Sequence, residues 1–366
     1  MKNQICIVGG GIIGLLIARE LVDSGKKVVI VDRGETGRES SWAGGGILSP
    51  LYPWRYPDSI NELAKWSQVA YPRLVSNLQK HSGIDAEWVR SGLLIVGAED
   101  HQLAAEWGLK YANSMKIVNS ADTENIQSGI SIGNGSVIWM ADIAQVRNPR
   151  LLAALKRDLL NDGVELQEQQ EITGFDISNG ELRGVHTNTE TIGTDVCIIT
   201  AGAWSGGLFS KLGLDIPIKP IRGQMLVFRD NPGGLERIIL KDKRYLIPRR
   251  DGRILVGSTL EDVGFDKSTT ESAAIELRQA ALSMMPALAN TKVELQWSGL
   301  RPGSPDGIPY IGPHPDIQGL FACTGHFRNG FVLGPASARL LVDLLLGREP
   351  VVDPGPYGLD RGLSSV

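Results

Sequence analysis

Residues 4 to 32, QICIVGGGIIGLLIARELVDSGKKVVIVD, read as an apolar strand, a glycine turn, an amphipathic helix and a second strand that ends on Asp32. A glycine fingerprint alone says little. Here Gly9-Gly10-Gly11-Ile12-Ile13-Gly14 stands between a strand and a helix, the setting a dinucleotide site requires. Gly9 permits the tight turn, Gly11 lets the backbone approach a pyrophosphate, and Gly14 lets the helix pack closely on the strand. The helix N-terminus then turns free N–H groups and a partial positive charge toward the phosphates. Asp32, eighteen residues after Gly14, is placed to bind a ribose hydroxyl pair.

Composition agrees without adding chemistry. A chain of 366 residues can bury a large core, and two interleaved domains are expected. Lys plus Arg number 37 against 41 Asp plus Glu, a formal charge of −4, with no basic stripe for nucleic acid and no charge run for a disordered tail. Cys6, Cys197 and Cys323 are far apart in apolar surroundings, which reads as buried free thiols in a reducing, cytoplasmic compartment. His81, His101, His186, His314 and His326 lack metal-ligand spacing, so no metal is expected. The apolar run from Ile5 to Ala18 is interrupted by glycines and continues into Arg19-Glu20, which excludes a signal peptide and a membrane span.

Further along, Ser59 with Glu62 reads as a capping box for a helix toward Gly83, with Leu63, Trp66, Val69 and Ala70 at helical spacing. Asn148-Pro149 opens a second helix through Leu151, Leu152, Leu155 and Leu159, closed by Gly163. From about 220 to 300 the pattern turns antiparallel: QMLVF, RIILK, RYLIP, RILVG and VELQW are short strands between Asn-Pro-Gly-Gly, Lys-Asp and Arg-Asp-Gly turns. The fold expected is α/β, α+β overall: a Rossmann-type nucleotide-binding domain from 1–85, 140–220 and 300–366, with an inserted antiparallel-sheet substrate domain from 86–139 and 221–299. The near match to a second fingerprint, Gly133-Asn134-Gly135, runs into Ile138, so one nucleotide is expected, and the fingerprint leaves NAD and FAD both open.

Six further segments narrow that choice. GRESSWAGGGILSPLYPWRYP at 37–57, TAGAWSGGL at 200–208, PIRGQM at 220–225, YLIPRRDGRILVGST at 245–259, LRPGSPDGIPYIG at 300–312 and GHFRNGFVLGPAS at 325–337 occur in the order found in one family. Through them essentially the whole chain resembles the flavin-dependent amino acid oxidases of the D-amino acid oxidase class, most closely the glycine oxidases of thiamine biosynthesis. The resemblance implies non-covalent FAD. Ser40 and Ser41, followed by Gly45, Gly46 and Ile47, would meet first the pyrophosphate and then the isoalloxazine ring. The resemblance extends the cofactor contacts to Gly9, Gly11, Ile12, Ile13, Gly14, Asp32, Arg33, Ile172 and Gly202. At the far end it adds His326, Phe327, Arg328, Asn329, Gly330, Phe331 and Val332. That last stretch opens a helix that Pro335 and Gly347 delimit, and a helix N-terminus at the flavin pyrimidine edge would stabilise negative charge on the reduced ring.

Arg301 is expected where the strand Val293 to Ser298 gives way to a Pro-Gly loop, a rigid place from which a planar fork can hold a carboxylate. The resemblance matches Arg301 to the arginine that grips the amino acid carboxylate and Tyr245 to the tyrosine that assists it. Arg328 matches a second basic residue near the active site, its role open. Ile47 and Leu260 are expected walls of the substrate pocket together with Tyr52 and Trp54, and residues 50–56 a lid or wall. The chemistry implied is hydride transfer from the α-carbon to flavin N5 across about 3 to 3.5 Å, giving an imine that water converts to a keto acid and ammonia. Dioxygen would reoxidise the flavin to give hydrogen peroxide. Two alternatives stand beside it: a dehydrogenase passing electrons to a quinone, and a non-catalytic flavin-binding subunit. The preferred small amine and any homo-oligomeric assembly are left open.

Overall fold

The structure, a computed structural model, describes residues 4–133 and 136–361; Asn134 and Gly135 of the second glycine cluster lie outside the described residues. The opening fingerprint folds as its pattern predicts. Gln4–Val8 and Lys27–Val31 pair in parallel around the helix Ile12–Asp23. Among the described residues they belong to a six-stranded sheet in the order Tyr310–Pro313, Leu320–Thr324, Cys197–Ile199, Gln4–Val8, Lys27–Val31, Glu165–Gln167. All its pairs are parallel except the edge pair formed by Tyr310–Pro313. Near-continuous apolar strands are what a sheet covered on both faces demands, and Ile5 to Val8 and Val28 to Val31 are all buried. Cys6, Cys197 and Cys323 are buried free thiols.

The second large sheet has eight strands among the described residues, with Val293–Gly303 and Lys219–Phe228 at one edge and Ile254–Gly257, Arg244–Pro248 and Ile238–Lys241 following. It continues through Leu93–Val96, Val137–Met140 and Met115–Val118, so its strands come from separate parts of the chain. A three-stranded sheet, Ile172–Ser178, Glu181–Thr187 and Thr191–Gly193, stands apart. The α/β layer and the second layer, antiparallel except where Ile238–Lys241 pairs in parallel with Leu93–Val96, agree with the α/β class read from sequence, and that one pair departs from the antiparallel sheet expected. No helix among the described residues is long and apolar enough to cross a membrane.

Several local expectations need correction. The strand ending in VELQW does not stop at Ser298 but runs to Gly303, because it pairs with Lys219–Phe228 along its whole length. Pro302 lies opposite Pro220 at the end of that ladder, where two missing N–H groups are least costly. The helix before Gly83 spans Asp58–Ser82, with Pro57 ahead of it and no side-chain cap, so Ser59 and Glu62 make no capping box. Its buried stripe is Ile60, Leu63, Ala64, Ser67, Tyr71, Leu74 and Leu78, and Val69 is 78% exposed.

Pro335 lies inside the helix Gly330–Leu346, not at its start. A proline there removes the N–H that would reach Phe331 O. The Tyr71 hydroxyl donates to that carbonyl at 2.6 Å, and Ala336 N donates to Ser67 Oγ at 2.9 Å. The Asp58–Ser82 helix thus repairs the first turns of the helix whose N-terminus carries the GHFRNG segment. Tyr71→Phe should leave a buried carbonyl unpaired and lower unfolding stability by about 1 to 3 kcal/mol in urea titration. A midpoint unchanged from the parent would show that water reaches Phe331 O instead.

Candidate functional site

A cavity of about 390 Å³ runs between the carboxyl ends of the parallel strands and the second sheet. At its first end Gly9 adopts φ +110°, and a Cβ there would lie 2.6 Å from Thr200 O. A Cβ at Gly14 would lie 2.0 Å from Gly9 O, so that glycine serves helix packing behind the cavity wall, whereas Gly11, Ile12 and Ile13 line it. Ser41 Oγ accepts from Ile12 N at 2.9 Å, which ties the second loop to the helix start. Asp32 also lines the cavity, but each of its oxygens already accepts a backbone amide, Gly10 N at 2.7 Å and Gly34 N at 2.8 Å. Burial raises its carboxyl pKa while those two amides oppose the rise. A carboxylate has lone pairs left for a ribose after accepting both. Next to it the Arg33 guanidinium stacks 3.6 Å over Trp204, a cavity residue the sequence reading missed.

Along the middle, Ser40, Gly44, Gly45, Gly46 and Ile47 form one wall, with Ile172 and Gly202 also on the lining. Gly46 has φ +73°, and a Cβ on it would meet Val146 O at 2.1 Å. This strip is held from behind by residues not anticipated from sequence. Asn148 Nδ2 donates to Ser41 O at 2.9 Å, Trp297 Nε1 to Ala43 O at 3.0 Å, and Arg249 Nη2 to Gly45 O at 2.8 Å. A charge beside an Arg-Asp-Gly turn reads as solvated surface, and only the tertiary fold reveals that Arg249 turns inward.

At the other end Arg301 donates from Nη1 to Thr259 O at 3.1 Å and from Nη2 to Ser258 Oγ at 2.7 Å. Among the described residues no acid pairs with it, and the same holds for Arg328, which also lines the cavity. The Arg301 fork lies over bare backbone: a Cβ on Gly223 would fall 2.0 Å from Nη1 and 2.3 Å from Cζ. Burial pulls its pKa down to about 10, with Tyr245 raising it and Arg328 lowering it, so it stays cationic at neutral pH. Tyr245 is buried, its ring over Gly257 and its hydroxyl 3.6 Å from Met225 Sδ. His326 is buried, and burial pushes its pKa down to about 3, so it is neutral.

Phe327, Asn329, Gly330 and Phe331 complete this end, while Val332 is buried behind it and does not line the cavity. Leu260 is not a wall residue: it is 54% exposed and off the lining. Beyond Gly257, Ser258 and Thr259 are taken by Arg301, and Glu261 accepts from Arg222 and Gln224, which leaves Leu260 facing out. Tyr52 and Trp54 are also off the lining: Asp100 draws Trp54 Nε1 and Arg55 to itself at 2.6 Å, Tyr52 is buried under the Arg55 guanidinium, and Ser49 and Leu51 line the cavity.

A cavity with glycine backbone and a helix N-terminus at one end and unpaired cations at the other fits a long, anionic dinucleotide plus an acid. The chain belongs to the FAD-dependent oxidoreductase family, whose match covers residues 4–344, and its cofactor is FAD. It is 46% identical to the glycine oxidase of Pseudomonas aeruginosa over 98% of each chain. It is 31% identical to the bifunctional protein ThiO/ThiG of a Synechocystis species, across 95% of this chain and 52% of that protein. The solved glycine oxidase of Geobacillus kaustophilus matches at TM-score 0.93 and 26% identity, covering 98% and 99% of the two chains. The residues present also fit FAD on their own account. His326 Nε2 and Asn329 Nδ2 are buried polar atoms without a protein partner, both from lining residues, as the polar edge of a bound flavin would require.

Proposed function

We propose that this protein oxidises glycine and other small amines, sarcosine and D-alanine among them, to the imine, which water hydrolyses to glyoxylate or the corresponding keto acid and ammonia. Dioxygen is the electron acceptor and hydrogen peroxide the by-product, and the imine of glycine feeds thiazole assembly in thiamine biosynthesis. The observation that carries this reading is Arg301, a cation without an acid partner among the described residues, held by Ser258 and Thr259 beside Tyr245 at the far end of the cavity. Such a fork is suited to a carboxylate. When bound, FAD supplies the two-electron acceptor for a hydride leaving the α-carbon.

The chain's own residues then bind and orient. Arg301 and Tyr245 fix the carboxylate, and with that anchor in place only one side of the α-carbon has room for a substituent. Arg328 and the N-terminus of Gly330–Leu346 keep this end positive. The acids on the lining, Asp32, Glu39 and Glu171, belong to the region around Arg33 and Gln170, and His326 is neutral. The amine reacts in its neutral form, and burial makes His326 a weak base for it. The flavin is non-covalent in this reading: Cys323 touches the cavity, but its thiol is buried and burial pushes its pKa up, away from a reactive thiolate. The cofactor unit is assigned to 1–85, 140–220 and 300–366 and the substrate unit to 86–139 and 221–299, with Val293–Gly303 crossing between them.

Heat or acid should release intact FAD from a yellow protein, and colour remaining with the precipitate would mean a covalent link. Gly11→Val, which adds bulk where backbone faces the cavity, should purify largely colourless. A substrate panel followed by peroxide, ammonia and keto acid production tests the activity. Glycine and sarcosine should turn over, D-alanine more slowly, and bulky L-amino acids not at all. Rapid reduction of an artificial acceptor with negligible peroxide would assign a quinone partner instead. Efficient oxidation of a large L-amino acid would overturn the substrate assignment.

A further inference from the structure

The geometry points to Arg249 as a positioning residue that pins the Gly44–Gly46 wall in place and sets a fixed positive charge behind the ring end of the FAD site. Arg249 follows the strand Arg244–Pro248 and is only 8% exposed. Its guanidinium donates to Gln145 Oε1 at 2.7 Å, Val146 O at 3.0 Å and Gly45 O at 2.8 Å. All three acceptors are neutral. The acids nearest to it, Glu87 and Asp251, are engaged by Arg147 at 3.2 and 2.9 Å.

Those contacts join three segments. Val146 N donates to Gly46 O at 2.9 Å, and Ile47 bridges to Gln145, so the fork stitches the glycine strip to its neighbour and to the end of the second sheet. Gly45 in turn abuts Tyr245, whose hydroxyl lies 3.4 Å from where a Gly45 Cβ would be. A strip made of consecutive glycines has little stiffness of its own and takes its shape from such external ties.

Packing alone does not account for a charge here. Buried ions can often be replaced by apolar side chains of similar volume without loss of stability, and a cation with no counter-charge is the more costly case. Arg249 remains protonated at neutral pH although burial draws its pKa down to about 10. Its positive potential reaches the cavity wall through the Gly45 carbonyl it holds. That potential favours the reduced, more negative cofactor over the oxidised one.

The inference rests on the proposed function and on the placement of the flavin ring against this strip that the family resemblance implies. Its test uses the holoenzyme with Arg249→Met, Arg249→Lys and, for the ring placement, Gly45→Ala. In Arg249→Met the visible spectrum of bound FAD should shift and its midpoint potential should fall by about 30 mV, a tenfold change for a two-electron couple. The kcat for glycine should drop while KM stays near the parent value, since Arg301 is anchored separately. Arg249→Lys, keeping the charge but not the three-way fork, should restore the potential and leave the spectrum shifted. A potential and spectrum identical to the parent in Arg249→Met would overturn the inference. Should that variant fail to fold, a parent-like spectrum and kcat in Arg249→Lys would overturn it equally. If Gly45→Ala shifts the spectrum while the Arg249 variants do not, Arg249 alone loses its role; if none does, the ring placement fails with it.

Discussion

Arg301→Ala is expected to keep its FAD and lose about 30- to 4000-fold in kcat/KM for glycine, equivalent to about 2 to 5 kcal/mol of transition-state stabilisation. The size follows from burial and from the absence of a competing acid among the described residues: the substrate carboxylate would be the first anion to meet this fork. FAD is retained because the side chain is held by Ser258 and Thr259, which follow the strand Ile254–Gly257 of the second sheet, and not by the glycine fingerprint. Arg301→Lys should recover only part of the loss, since a point charge cannot make two parallel hydrogen bonds. Steady-state kinetics with flavin content measured on the same samples checks this. Near-normal activity would move the clamp elsewhere, with Arg328 the first candidate.

Gly223→Ala should reproduce most of that loss without touching a charged residue. Gly223 lies on the strand Lys219–Phe228, two positions beyond the partner of Arg301 in the ladder, and the added methyl would sit 2.0 to 2.3 Å from Nη1, Nη2 and Cζ of the guanidinium. The clashing atoms are the far end of a flexible side chain, so the fork swings aside at small cost in stability. It cannot swing aside and still present the same geometry to a carboxylate. A displacement of this order costs on the order of 100-fold in rate where orientation controls reactivity. The expected outcome is an unchanged melting temperature, full flavin content and strongly reduced kcat/KM. Full activity would mean that the fork has a second productive position.

What the sequence disclosed was what is local. The strand, glycine turn, helix and Asp32 lie within one short stretch, and each residue type has a reason to be there that the neighbours confirm. Arg301 was expected to hold a carboxylate from its planar fork and from the resemblance, but the bare space that receives it comes from Gly223 on another strand and shows in no local pattern. Pro335 reads as a helix start since the first turn is where proline is cheapest; the Tyr71 hydroxyl that lets it sit further in is 260 residues away in the chain. Leu260 follows an apolar strand and invites alternation, but the strand ends at Gly257 and the next residues turn to serve Arg301 and Arg222. Asn148 reads in sequence only as a helix start and Arg249 only as the flank of a turn, and their ties to the glycine strip appear only in the folded chain.

The central claim is that a small amino acid held by Arg301 gives up its electrons to FAD in this cavity. Anaerobic mixing of the yellow protein with glycine tests it most directly, with the flavin absorbance followed in time and the Arg301→Ala variant run beside it. The account predicts that the parent bleaches fully with glycine and that the variant bleaches far more slowly at the same glycine concentration. A flavin that stays oxidised with glycine, sarcosine and D-alanine alike, in protein shown to contain FAD, would contradict it.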